Sequence, residues 1–320
     1  MGTDQNSKAY LGHLMALATI VIYSFNTNFM KTLMPDWISP FALVLLRTSS
    51  CAIGYWVICL FIKSAREQKP SGKDKVMMML GGVLGMGANM LLYINGVAQT
   101  GPVDAFIIRT FQPTIVFVLS VIFLHKVFNF TKFTGIIIGL LGAVYVSIVP
   151  HGGVTDSFWG DVQVLFSSVA YAFFLVLIKP YTQRFNPFLV MKWMSLSAFV
   201  FTFPFGIKEL IEAPVFHHSF EWIVWSKIAF TLIFSTMGAY ILALGALHYI
   251  SAFKDSLYIY LLPVFGTAVA MWIGTDKFSW HDPIGLLLIL IGFYLINRET
   301  FNQMFSKNKL NKQNSNKPNP

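Results

Sequence analysis

Apolar residues in this chain gather into ten runs, at 10 to 33, 39 to 62, 76 to 98, 103 to 125, 133 to 149, 159 to 178, 187 to 207, 226 to 247, 252 to 274 and 283 to 297. A helix needs about 20 predominantly apolar residues to cross the hydrocarbon of a bilayer, and the runs come near that length. The pattern therefore predicts an all-α integral membrane protein with ten transmembrane helices.

The runs also repeat. Pro113 has a counterpart in Pro263, Gly135 in Gly285 and Gly142 in Gly292, each 150 positions on. Gly96 pairs with Gly245 at an offset of 149, and Tyr23 and Lys31 pair with Tyr171 and Lys179 at 148. An offset that holds from end to end marks an internal duplication, here residues 10–150 and 157–298. With five crossings per copy, the second must enter the bilayer upside down relative to the first. Such inverted repeats are the architecture on which many secondary transporters build alternating access. The remaining segment, 299–320, is Asn/Lys-rich, too polar to bury anything, and reads as a disordered cytoplasmic tail.

Composition agrees: of 320 residues, 55% are apolar and only 12% charged, outside the range of soluble domains. The first run is too long for the apolar core of a signal peptide and lacks a clear small-residue cleavage site, so it reads as a retained span. Asn6 stands where a myristoylation signal needs a hydroxyl. Cys51 and Cys59 both fall in the second run without metal spacing and read as packing residues.

Charge sets the orientation. With the N-terminus inside, 17 of the 23 Lys and Arg residues lie on the cytoplasmic side, in the N-terminal segment, the connections after the second, fourth, sixth and eighth runs, and the tail. Only Lys31, Lys208, Lys227 and Lys277 lie outside, while Arg47 and Arg109 fall within spans. This asymmetry predicts a multi-pass protein of the plasma (inner) membrane with both termini cytoplasmic. It also explains the net charge of +9 as inner-face attraction to anionic lipid, with no nucleic-acid partner implied. Trp37, Trp159, Trp222, Trp225 and Trp280 fall at outer ends of spans, as an interfacial aromatic belt would place them. The glycosylation sequon at Asn129 falls inside and reads as chance.

The stretch LMALATIVIYSFNTNFMKTLMPDWISPFALVLLRTSSCA carries an aromatic-small-x-Asn turn (Tyr23, Ser24, Asn26), Lys31 at the end of the first helix, Ser39-Pro40 opening the second, and Arg47 within it. It resembles the opening of an EamA-type repeat of the drug/metabolite transporter superfamily. The later half of each copy, from Pro113 and from Pro263, is similar to that family's pattern of Pro, apolar helix, acidic residue and Gly-rich helix. Two departures stand out: Lys126 occupies an acidic position, and Asp276 replaces the more usual Glu. The resemblance, over residues 10 to 298, implies an exporter of small metabolites, either a facilitator or one coupled to protons or a counter-substrate.

Ionisable groups inside spans are costly and point to function. Arg109 lies about six residues into the fourth run, about 9 Å deep at a rise of about 1.5 Å per residue. Pro113 lacks an N–H, so the carbonyl of Arg109 loses its helical partner, and with Gln112 this makes a candidate half-site. Pro263 repeats the device near Tyr258 and Tyr260. The alternative for Arg109 is snorkelling to the outer interface. Arg47 is open to two readings, a bridge between helix ends or a substrate contact. Asn26, Asn28, Asn89, Asn95, Tyr93, Tyr171 and Tyr240 are expected to hydrogen-bond between helices individually and to form a polar cavity collectively. Lys254, Asp255 and His248 read as solvated residues at helix ends, with a gate network as the alternative. The cluster Met77, Met78, Met79, Met86 and Met90 reads as filler, and Gly81-x-x-x-Gly85 and Gly135-x-x-x-Gly139 as close-packing scaffold.

No carboxylate sits at mid-membrane, whereas the two buried charges are guanidiniums. Substrates with a carboxylate or phosphate, including amino acids and other zwitterions, are therefore favoured over permanent cations. An intramembrane enzyme is disfavoured by the lack of H-E-x-x-H, G-x-S-x-G, paired acids or His/Cys metal spacing in the spans, so no cofactor or metal is implied. A channel is disfavoured by the lack of a repeated filter sequence.

Overall fold

A computed structural model describes residues 2–100, 105–106, 108–124, 130–148 and 157–274, with a few further positions between 284 and 295. Lys126, Asn129, Asp276, most of the tenth run and the tail 299–320 lie outside the described residues. Among the described residues the chain is helical, without strands. The helices are α1 (Gly2–Leu33), α2 (Pro40–Phe61), α3 (Gly72–Thr100), α4 (the tight turn Arg109–Phe111 running into Gln112–Leu124), α5 (Phe130–Ile148), α6 (Phe158–Arg184), α7 (Pro187–Ile211), α8 (Trp222–Tyr249) and α9 (Ala252–Ile273). Seven of these, all but α4 and α5, are long and apolar enough to cross a membrane. The seven long helices alone make this a multi-pass membrane protein.

Local chemistry sets the helix starts. Ser39 caps α2 by accepting the Ala42 amide at 3.3 Å, with Pro40 at the first helical position where its missing donor costs nothing. Asn186 and Pro187 repeat the arrangement at α7, with Asn186 accepting from Phe188 at 2.9 Å. Ser71 and Asp74 form a reciprocal capping box at α3.

The helix pairings map onto one another when the halves are exchanged. α3 packs on α6 as α8 packs on α1, and α4 on α6 as α9 on α1. α2 packs on α7, its own counterpart. Glycines make these crossings close. A Cβ on Gly96 would lie 2.8 Å from the Gly160 carbonyl oxygen, and one on Gly12 2.8 Å from Cβ of Tyr249. At the α2–α7 seam a Cβ on Gly206 would meet the Phe41 carbonyl at 2.5 Å, while the hydroxyls of Thr48 and Thr202 meet at 2.8 Å.

Two irregularities recur at matching places. α3 widens into a π-helical stretch at Val83–Ala88 and α8 at Thr231–Gly238. A π turn releases carbonyls from the regular ladder, and in lipid they need partners. Tyr240 donates to Gly85 O at 2.7 Å, and Tyr55 to Met237 O at 2.5 Å. The second irregularity is a 3-10 turn ahead of Pro113 and of Pro263. Gln112 N–H donates to Arg109 O, and Leu262 N–H to Ile259 O. The Arg109 carbonyl, expected to be left without a partner by Pro113, is therefore satisfied by tightening the turn, and the half-site does not include it.

Candidate functional site

A small cleft opens between the two halves of the chain. The first half lines it with Tyr23 of α1 and Arg109 and Gln112 of α4. From the second half come Tyr171 of α6 and Asp255, Tyr258 and Ile259 of α9.

Arg109 sits in the 3-10 turn of α4 and is 4% exposed, so it is packed within the protein and does not snorkel along its surface. Its guanidinium carbon lies 4.3 Å from the ring centre of Tyr93 and 5.7 Å from that of Tyr171. Thr27 steadies the first ring, its hydroxyl 3.2 Å from that of Tyr93. Cation–π contact holds a guanidinium by its face and leaves the N–H edge to recognise an anion. Nε of Arg109 and Oε1 of Gln112 are both buried without a hydrogen-bond partner among the described residues. Buried polar atoms are ordinarily paired, and an unpaired one calls for an explanation. An anionic oxygen can accept from the Arg109 Nε–H, while Gln112 Oε1 calls for a donor.

The other candidates divide. Tyr171 and Tyr258 line the cleft, and Tyr93 backs Arg109. Arg47 is elsewhere. Its Nε donates to Thr236 Oγ1 at 2.7 Å, Nη2 reaches Ser235 Oγ at 3.4 Å and Nη1 reaches Met30 Sδ at 3.4 Å. It bolts α2 to the π-helical stretch of α8. Asn26 shares that neighbourhood through Met30 Sδ at 3.4 Å, with its Oδ1 buried and unpartnered. Asn89 donates to Ser167 O at 2.9 Å, joining α3 to α6, while Tyr240 is committed to Gly85.

Tyr23 and Asp255 line the cleft without having been among the substrate-contact candidates. Tyr23 was visible as the repeat partner of Tyr171 and as the aromatic of the Tyr23-Ser24-x-Asn26 turn. Asp255 was expected as a solvated residue at a helix end, but the cap of α9 is Ser251, which accepts from Lys254 N–H at 3.2 Å. That places Asp255 one turn inside, partly buried on the cleft wall. Next to it, His248 Nδ1 meets Thr182 O at 2.5 Å, and Lys179 donates to the carbonyls of Leu247 and, at 2.8 Å, Ile250. A cation on the last carbonyls of a helix offsets its dipole, so these contacts fasten the end of α6 to that of α8.

The EamA-like transporter family matches the sequence twice, over residues 10–148 and 158–298. The chain belongs to this family. It is a membrane transporter. A protein of Archaeoglobus fulgidus named as an uncharacterized transporter is 23% identical over 263 residues, covering 82% of this chain and 90% of the relative. The uncharacterized transporter YyaM of Bacillus subtilis is 24% identical over 267 residues, covering 80% and 84%. A solved crystal structure shares the fold with a TM-score of 0.69 at 16% identity, over 91% of this chain and 96% of the other.

Proposed function

We propose that the chain is a ten-span secondary transporter built from two inverted five-helix repeats, 10–150 and 157–298. It carries a small metabolite bearing a carboxylate or phosphate by alternating access, through the cleft between the repeats. The observation that carries this reading is Arg109: buried, held by its face on tyrosine, with an N–H edge unpartnered at the cleft. The recurrence of the π stretch, the pre-proline 3-10 turn and the glycine crossings in both halves supports two equivalent bodies that rock about the site. The distribution of basic residues supports termini in the cytoplasm and a plasma-membrane location.

A thermal-shift screen of the detergent-purified protein against a metabolite library selects ligands, since one at 100 times its Kd stabilises by about 2.7 kcal/mol. Ligands that stabilise then enter flux assays in liposomes at matched protein incorporation. Lys keeps the charge but not the fork, so Arg109→Lys is expected to lower flux about tenfold or more. Flux within twofold of the parent would remove Arg109 from the site. In a Cys-free background, an impermeant reagent is expected to reach a Cys at Ser219 from outside and not one at Ser71. The reverse labelling would overturn the topology.

A further inference from the structure

We infer that the protein holds an anionic phospholipid on the outside of its helix bundle, where α2, α3 and α7 meet, with Lys75 and Lys192 taking the headgroup beside the rings of Trp56 and Trp193. None of these four residues lines the cleft, so the site stands apart from how the cleft is read.

The connections 62–71 and 185–186 form one rim. Asn186 Nδ2 donates to Ser64 Oγ at 2.9 Å, the Asn186 backbone amide to Gln68 Oε1 at 2.7 Å, and Arg184 Nη1 to Asp74 Oδ1 at 3.2 Å. Within about two turns of that rim lie Trp56 on α2, Lys75 on α3, and Lys192 and Trp193 on α7. Lys192 Nζ is 4.0 Å from the ring centre of Trp56 and 5.9 Å from that of Trp193, while Lys75 Nζ is 5.1 Å from Trp193. The two indoles meet edge to face at 6.1 Å. Cation–π contact steadies both ammoniums and leaves their other N–H groups to an anion. Two like charges on one indole also repel each other, which a shared anion would relieve. Among the described residues neither ammonium has an ion pair or a hydrogen bond, because the carboxylate of Asp74, next to Lys75, is taken by Ser71 and Arg184. The indole N–H of Trp193 is a further donor in the cluster, buried and unpaired.

The surroundings favour a lipid over a soluble anion. On α2, Ile53 and Leu60 share the face of Trp56, three positions before and four after it, and are 68% and 62% exposed. An acyl chain can lie along that strip while its headgroup stays with the lysines, which is how Lys and Trp divide the membrane interface between them. A second copy of the chain docked here about a two-fold axis would set the lysines against their own replicas, so it is not the occupant.

The test is thermal unfolding of the full-length protein in a non-ionic detergent, titrated with dioleoyl phosphatidylglycerol, dioleoyl phosphatidylcholine or glycerophosphoglycerol, the soluble headgroup. Phosphatidylglycerol is expected to stabilise saturably, with the other two about tenfold weaker or more. Lys75→Gln/Lys192→Gln is expected to weaken phosphatidylglycerol about tenfold or more, whereas Lys69→Gln/Lys73→Gln, which removes the same charge from exposed positions on the same rim, leaves it within about twofold. Trp56 is itself exposed, so Trp56→Leu tests the ring without opening the core and is expected to weaken phosphatidylglycerol about threefold or more. The inference is overturned if phosphatidylcholine stabilises as well, if the soluble headgroup matches the lipid, if the stabilisation does not saturate, or if Trp56→Leu changes nothing. An equal loss in the Lys69/Lys73 pair would also overturn it, reducing the effect to diffuse attraction by a basic rim.

Discussion

Arg47 and Arg109 are guanidiniums of nearly equal burial, 3% and 4% exposed, yet they are held in opposite ways. Arg47 has a side-chain partner for each of its nitrogens, from Thr236, Ser235 and Met30, and those partners tie α2 to α8 and α1. Arg109 is held by aromatic faces and keeps an unpaired N–H. Burial alone thus does not mark a binding residue. What marks it is unspent hydrogen-bonding capacity facing open space, because a buried donor left unpaired is costly unless something comes to meet it.

The contrast can be broken by swapping the consequences of the two truncations. Arg47→Ala opens a cavity and cuts three interhelical contacts, so the largest effect expected is a loss of about 2–4 kcal/mol in unfolding free energy in detergent. Arg109→Ala is expected to abolish flux and to cost less stability than Arg47→Ala, since it gives up ring contacts and leaves a cavity but cuts none of the interhelical hydrogen bonds that Arg47 makes. Equal stability losses for both would erase the distinction. A smaller and sharper probe is Thr236→Val, which removes the acceptor of Arg47 Nε at nearly constant shape. It should cost about 0.5–1.5 kcal/mol and leave the affinity for any ligand of the cleft within twofold. The smallest effect separates ring from hydroxyl at Tyr93. Tyr93→Phe keeps the face under Arg109 and is expected to retain flux within twofold, whereas Tyr93→Leu loses a cation–π contact of about 0.5–2 kcal/mol and should weaken binding by about threefold to tenfold. Equal behaviour of the two variants would show that the ring does not position the guanidinium.

Much of the architecture was legible in the chain. Each of the first nine apolar runs is helical where described, because a bilayer demands long uncharged segments and caps such as Ser39-Pro40 announce where they begin. The site was legible in part. Arg109, Gln112, Tyr171 and Tyr258 stood out as polar groups on apolar helices, and they share one cleft. Asp255 did not, because a carboxylate near a span end looks the same in sequence whether it faces water or turns inward. That distinction depends on which way the first turn faces: the helix starts at Ala252 as the run implies, and Asp255 comes round to the cleft side of that turn. The division between Arg47 and Arg109 was equally hidden, since the hydroxyls that engage Arg47 are 188 and 189 positions away in the chain. The tightened turns before Pro113 and Pro263 show a subtler limit: a proline reveals which carbonyl loses its partner, and only the backbone reveals that the neighbouring amide takes the place.

Covalent joining of the two copies has a consequence for what such a fold can hold. A pair of identical five-helix subunits about a two-fold axis would present every side chain twice, so a guanidinium at one rim would be faced by its own replica at the other. Such a homodimer could grip only molecules as symmetric as itself, or grip an asymmetric one in two equally good orientations. In one polypeptide the counterparts of Arg109 and Asp255 are free to be Ile259 and Ala105. The cargo can then be seated head first in a single sense, even though the helices around it are arranged as matched pairs.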